Sequence, residues 1–221
     1  RSNELVETTI RQVFDIALVS YKVIDIFYAA GIKKPDISIL SDEFLADIKN
    51  MKHEKVALEV LKKLLNNELK SRAKTNLVQS KSLMEMIENV IRKYQNNLLT
   101  SAQVIDELIK VSKEIVASDD EREKMGLTDF EYAFYTAVAS NDSAKELMQH
   151  DKLRELAVVL TQKVRENASI DWTIKESVKS KLKVIIKRTL RTYGYPPDMQ
   201  LLATETVLKQ AEMIASELNC N

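Results

Sequence analysis

Glycine and proline are scarce, with three of each among 221 residues. Gly31, Gly126 and Gly194 stand alone, so no glycine-rich loop is available to cradle a phosphate. Both residue types fall between periodic segments, where they punctuate rather than build. The single cysteine, Cys220, excludes an internal disulfide and fits a reducing cytoplasm. It is also a poor candidate nucleophile, because a chain terminus rarely supplies an oriented base. The two histidines, His53 and His150, lie far apart without metal-ligand spacing, and each reads as a helix start. No apolar run approaches membrane-spanning length and no signal-peptide pattern is present. Lys plus Arg and Asp plus Glu are both 33, so net charge carries no nucleic-acid signal. The first residue is Arg1 rather than Met, inside apparent helix, and the expectation is a piece of a longer protein.

What is present is helical periodicity. Hydrophobic residues make up 45% and charged residues 30%, which excludes a disordered chain and supports a sizeable core. Val6, Ile10, Val13, Phe14, Ala17 and Leu18 open one amphipathic face, ended by Gly31 and Pro35. Ser41 is placed to cap a short helix. Ala57, Val60, Leu61, Leu64 and Leu65 mark a longer one that Leu69 carries past Asn66 and Asn67. Leu83 to Tyr94, Val104 to Ile115 and Leu153 to Val164 carry three more faces, and Val207 to Leu218 the last. Thr128 and Glu131 have capping-box spacing before Phe130, Phe134 and Tyr135. No segment alternates like a strand. The fold class is therefore all-α: a multi-helix bundle that allows two packed helical subdomains. The acid-rich stretch from Ala117 to Gly126 reads as a connector and sets their expected bounds at 1–118 and 119–221.

One helix, expected over 173–193, is unusually basic. Thr173 and Glu176 form a candidate capping box, and Gly194-Tyr195-Pro196-Pro197 stops it. Ile174, Val178, Leu182, Ile185, Ile186 and Leu190 make its apolar face. Lys175, Lys179, Lys183, Lys187 and Arg191 recur every four residues, drifting roughly 40° per step, and Lys181 and Arg188 widen the row. Two readings stay open: a solvated face, or a surface for an acidic partner or a phosphate backbone. Trp172 just before the helix reads as a hydrophobic staple or as an interface anchor. Asp36 with Asp47 and Lys49 imitates the text of a metal-dependent nuclease motif. In a helix, however, residues two apart diverge by roughly 160°, so Asp47 and Lys49 would not point together.

A resemblance gathers at Asp171-Trp172-Thr173, Glu176-Ser177-Val178, Lys187-Arg188 and Tyr193-Gly194-Tyr195-Pro196-Pro197-Asp198. It extends to Ala29-Ala30-Gly31, Lys34 to Ser41, Arg92 to Asn96 and Ala102 to Ile105. In this order, over roughly residues 20 to 218, the chain resembles the C-terminal helical region of the R (HsdR) subunit of type I restriction enzymes. The resemblance implies a parent subunit that is an ATP- and Mg-dependent DNA translocase and endonuclease. It implies no catalytic, cofactor-binding or metal residues in this stretch. The implied partners are the modification and specificity subunits, the motor domains of the same subunit, and duplex DNA in the full complex, with no membrane. Two roles follow as expectations. One is a scaffold docking the subunit onto the modification core. The other is a DNA-contacting module using Lys175, Lys179, Lys183, Lys187, Arg188 and Arg191 on phosphates.

Overall fold

The computed structural model describes residues 42–167 and 176–219. Among them are nine helices and no strand. They are α1 (Asp42–Lys49), α2 (Glu54–Arg72), α3 (Leu77–Gln95), α4 (Ser101–Lys124), α5 (Asp129–Ala139), α6 (Asp142–Leu147), α7 (His150–Asn167), α8 (Glu176–Thr192) and α9 (Gln200–Asn219). The bundle is all-α, as the periodicity requires.

Local chemistry explains most boundaries. The Asn76 side chain accepts from Gln79 N–H to open α3. Reciprocal capping boxes open α4 (Thr100 with Gln103) and α5 (Thr128 with Glu131). Three ends share one geometry. Leu98 N–H bonds Lys93 O, Leu127 N–H bonds Arg122 O, and Tyr195 N–H bonds Leu190 O, each reaching back five residues. The residue before each donor, Asn97, Gly126 and Gly194, has φ of 54°, 63° and 72°. These are left-handed caps that satisfy carbonyls the helix leaves unpaired. Asn66 and Asn67 sit inside α2 without breaking it, because Leu64, Leu65 and Leu61 are already buried on the face that Leu69 extends.

Buried apolar side chains collect in two groups. One lies within residues 44–115 and includes Leu45, Ile48, Leu61, Leu65 and Leu108. The other lies within residues 127–214 and includes Phe134, Leu153, Leu156, Leu160, Leu182 and Leu190. In the first, α2, α3 and α4 pack together with α1 beside α2; in the second, α5 packs on α7 and α9, and α8 on α7 and α9. The acidic stretch expected as a connector is helix through Lys124, so the 118/119 division falls inside α4. Its charges are consistent with helix because they are anchored. Asp119 pairs with Arg72 (2.5 Å) and Arg122 with Asp129 (2.9 Å), while Glu121 accepts from the Tyr132 hydroxyl (2.8 Å). Only Met125, Gly126 and Leu127 make the turn.

A polar joint spans the two groups. Gln79 Nε2 donates to Ser118 Oγ, which lies 3.2 Å from the Tyr132 hydroxyl. Arg72 also binds Glu68 (2.8 Å) and Gln79 (3.0 Å). Burial alone would lower the Arg72 pKa, but the hydrogen bond and charge of Asp119, joined by Glu68, hold it above its ordinary value. Gln210 of α9 is fully buried; its Nε2 donates to Thr75 O (2.6 Å) and its Oε1 accepts from Leu77 N–H (2.8 Å). Thr136 Oγ1 of α5 donates to Asn76 Oδ1 (3.0 Å). The start of α3 is thus held by side chains from both α5 and α9.

Candidate docking face

Helix α8 is fixed on one side and open on the other. Leu182, Ile186, Thr189 and Leu190 are buried, with Val178 packed partly against the same core. At the C-terminal end Tyr195 is 1% exposed and its hydroxyl donates to Val138 O of α5 (2.7 Å). Burial pushes this hydroxyl up to about 12. Gly194 supplies the left-handed cap that turns the chain into Tyr195, and the tyrosine anchors the helix end.

Lys181, Lys183, Lys187, Arg188 and Arg191 are all exposed. At about 100° per residue they occupy an arc of roughly 160° opposite the buried stripe. Among the described residues none of these five forms an ion pair. Lys179 differs, because its Nζ lies 3.1 Å from Glu212 Oε1 of α9 and both side chains are partly covered. That bridge ties the first turns of α8 to the second half of α9, so the two helices run antiparallel. Of the residues expected to form a partner or phosphate face, the structure brings together Lys183, Lys187, Arg188 and Arg191. It places Lys179 at the edge, already neutralised. Lys175 and Trp172 lie outside the described residues, as does the Thr173 capping box.

Three residues of this region escape a reading of cations alone. Val184 is 57% exposed within the cationic arc, and Leu201 and Leu202 are 62% and 60% exposed in the first turn of α9. For Val184 a signal did exist. It is two residues from both Leu182 and Ile186, which puts it about 160° away from each in a helix.

Asp47 and Lys49 lie in α1, and Lys49 pairs with Asp106 (2.8 Å). Asp36 lies outside the described residues. His53 occupies the N-cap of α2 without making a cap bond, and His150 Nδ1 in the first turn of α7 lies 2.9 Å from the Tyr135 hydroxyl. Among the described residues no group of three His, Cys, Asp or Glu could hold a metal ion. Gly126 and Gly194 serve helix caps. A cleft with polar walls is lined by Arg72, Asn76, Gln79, Asp119, Arg122 and Tyr132. There the side chains are consumed by one another, and burial first, then the Glu121 hydrogen bond, pushes the Tyr132 hydroxyl up to about 12.

Comparison with known proteins gives the context for such a face. The family described as type I restriction enzyme HindI endonuclease subunit-like, C-terminal, matches residues 1–217. The type I restriction enzyme HindI endonuclease subunit of Haemophilus influenzae is 35% identical over 209 residues, covering 95% of this chain and 20% of that protein. A putative type I restriction enzyme MjaIXP endonuclease subunit of Methanocaldococcus jannaschii is 29% identical over 191 residues, covering 85% of this chain and 18% of that protein. The chain thus spans about one fifth of the length of these relatives. No solved structure matches. With ordered coverage of nearly the whole chain, it belongs to the C-terminal family of HindI-like type I restriction endonuclease subunits.

Proposed function

We propose that this chain is a docking scaffold. It holds a type I restriction endonuclease subunit on the modification core of the enzyme and packs against the motor domains of the same subunit. The observation that carries this reading is the arc of five exposed cations on α8, without an ion pair among the described residues, on a helix whose opposite side is locked into the core. A surface fixed in shape and of one charge sign favours a complementary partner and speeds encounter with it. In this reading, ATP-dependent translocation and cleavage, with their ATP and Mg, belong to other parts of the whole subunit. The setting is the cytoplasm, where restriction acts; among the described residues no helix is long and apolar enough to cross a membrane.

The same cations favour a second reading, contact with the phosphates of duplex DNA. Salt dependence separates the two. Five phosphate contacts give a log–log slope of roughly −4.5, or about a 500-fold loss of affinity on quadrupling the salt. The test is calorimetric titration of the chain into the modification–specificity complex without DNA. Heat that survives a rise from low to moderate salt supports docking. No heat at any salt refutes autonomous docking and leaves the phosphate reading.

A further inference from the structure

The cationic arc of α8 is neither uniform nor wide. Val184 sits within it, flanked by Lys187 and Arg191 on one side and by Lys181 and Arg188 on the other, all within about 60° around the axis. Carboxylates border it. On the α9 side, Glu212 holds Lys179. Exposed Glu205, seven residues before Glu212, shares its side of α9 to within about 20°. On the α7 side, exposed Glu155 accepts from the Tyr193 hydroxyl (3.4 Å) beside the C-terminal end of α8. Exposed Leu201 precedes Glu212 by eleven residues. It therefore returns to the same side of α9, next to the last turns of α8.

We infer that this face takes an acidic amphipathic helix supplied by a protein, a conclusion that rests on the docking reading above. A strip about 15 Å long from Lys181 to Arg191 matches three turns of such a helix, whose diameter is about 10–12 Å. Carboxylates four residues apart on it would meet Lys183, Lys187 and Arg191 in register. One apolar side chain would cover Val184, and another would reach Leu201. Duplex DNA suits this strip poorly. It carries a negative charge per about 1.7 Å of axis and would set phosphates against Glu205 and Glu155, while its backbone offers nothing to an exposed valine.

The test places a photo-crosslinking p-benzoylphenylalanine at position 184 of the full endonuclease subunit, assembled with modification and specificity subunits, with and without duplex DNA. The expected result is an adduct on a helix rich in Asp and Glu, unchanged by DNA. Pairing the probe with Lys183→Glu and Lys187→Glu should cut the adduct roughly tenfold or more. Val184→Ser should weaken calorimetric binding roughly fivefold. An adduct on DNA, an adduct on a neutral or basic segment, or no adduct overturns the inference. Docking heat without an adduct refutes the inference alone. An adduct on an acidic helix without docking heat refutes autonomous docking and upholds the inference.

Discussion

Replacing Gln210 with leucine probes the joint between the two buried groups. The side chain is fully buried, bonds the Thr75 carbonyl and the Leu77 N–H, and belongs to α9 while both partners lie at the start of α3. Leucine matches its size but leaves one donor and one acceptor unpaired. Each orphaned buried group costs about 1–3 kcal/mol. Both partners are backbone groups of half-buried residues, so some solvent rescue pulls the pair toward the low end, about 2–3 kcal/mol. In urea unfolding followed by far-UV circular dichroism, a slope of roughly 2–3 kcal/mol per molar converts this into a midpoint lower by about 1 M. The slope itself should not change, because the leucine alters stability and not the surface exposed on unfolding. Gln162→Leu, at an exposed site bonded to Glu166, is the control and should stay within about 0.5 kcal/mol. A Gln210→Leu midpoint indistinguishable from that control would show that the two bonds do not hold the joint.

Three further outcomes are expected. Gly126→Ala and Gly194→Ala should each cost about 1–2 kcal/mol from backbone strain alone; a new Cβ meets only Arg154 Nη2 at 3.8 Å and Lys152 Nζ at 3.6 Å. Urea midpoints for the two check this. Thr128→Ala removes the acceptor for Glu131 N–H and should cost about 1 kcal/mol by the same assay. Burial, joined at Tyr132 and Tyr135 by the Glu121 charge, raises the hydroxyls of Tyr132, Tyr135 and Tyr195 from 10.0 to about 12. The unfolded chain therefore ionises near pH 10 while the folded chain holds these protons. Stability from this source should be constant below pH 10 and fall between pH 10 and 12, and a flat profile across that window would contradict it.

Much of the fold was legible because its signals are local. The Thr128–Glu131 capping box, the Gly194 stop and the passage of α2 through Asn66 and Asn67 each depend on a few consecutive residues. The stretch 117–124 misled for a non-local reason. Its acids look like a solvated connector until Arg72 and Tyr132, distant in sequence, are seen to partner Asp119 and Glu121. The same limit applies to the candidate face. Helical spacing placed Lys183, Lys187, Arg188 and Arg191 on one side, but only the packing of α9 shows that Glu212 removes Lys179 from it. Gln210 carries no sequence mark at all, since an isolated glutamine in an amphipathic helix reads as surface.

The most direct test of the α8 face as a docking surface is reversal of its charge in the full subunit. Lys183→Glu, Lys187→Glu and Arg188→Glu together should weaken assembly with the modification–specificity complex by roughly a hundredfold or more, read by calorimetry. Lys55→Glu, Lys70→Glu and Lys93→Glu, the same charge change at exposed sites elsewhere, should leave it within about threefold. Equal affinities for the two triple variants, both near the parent value, would contradict the account.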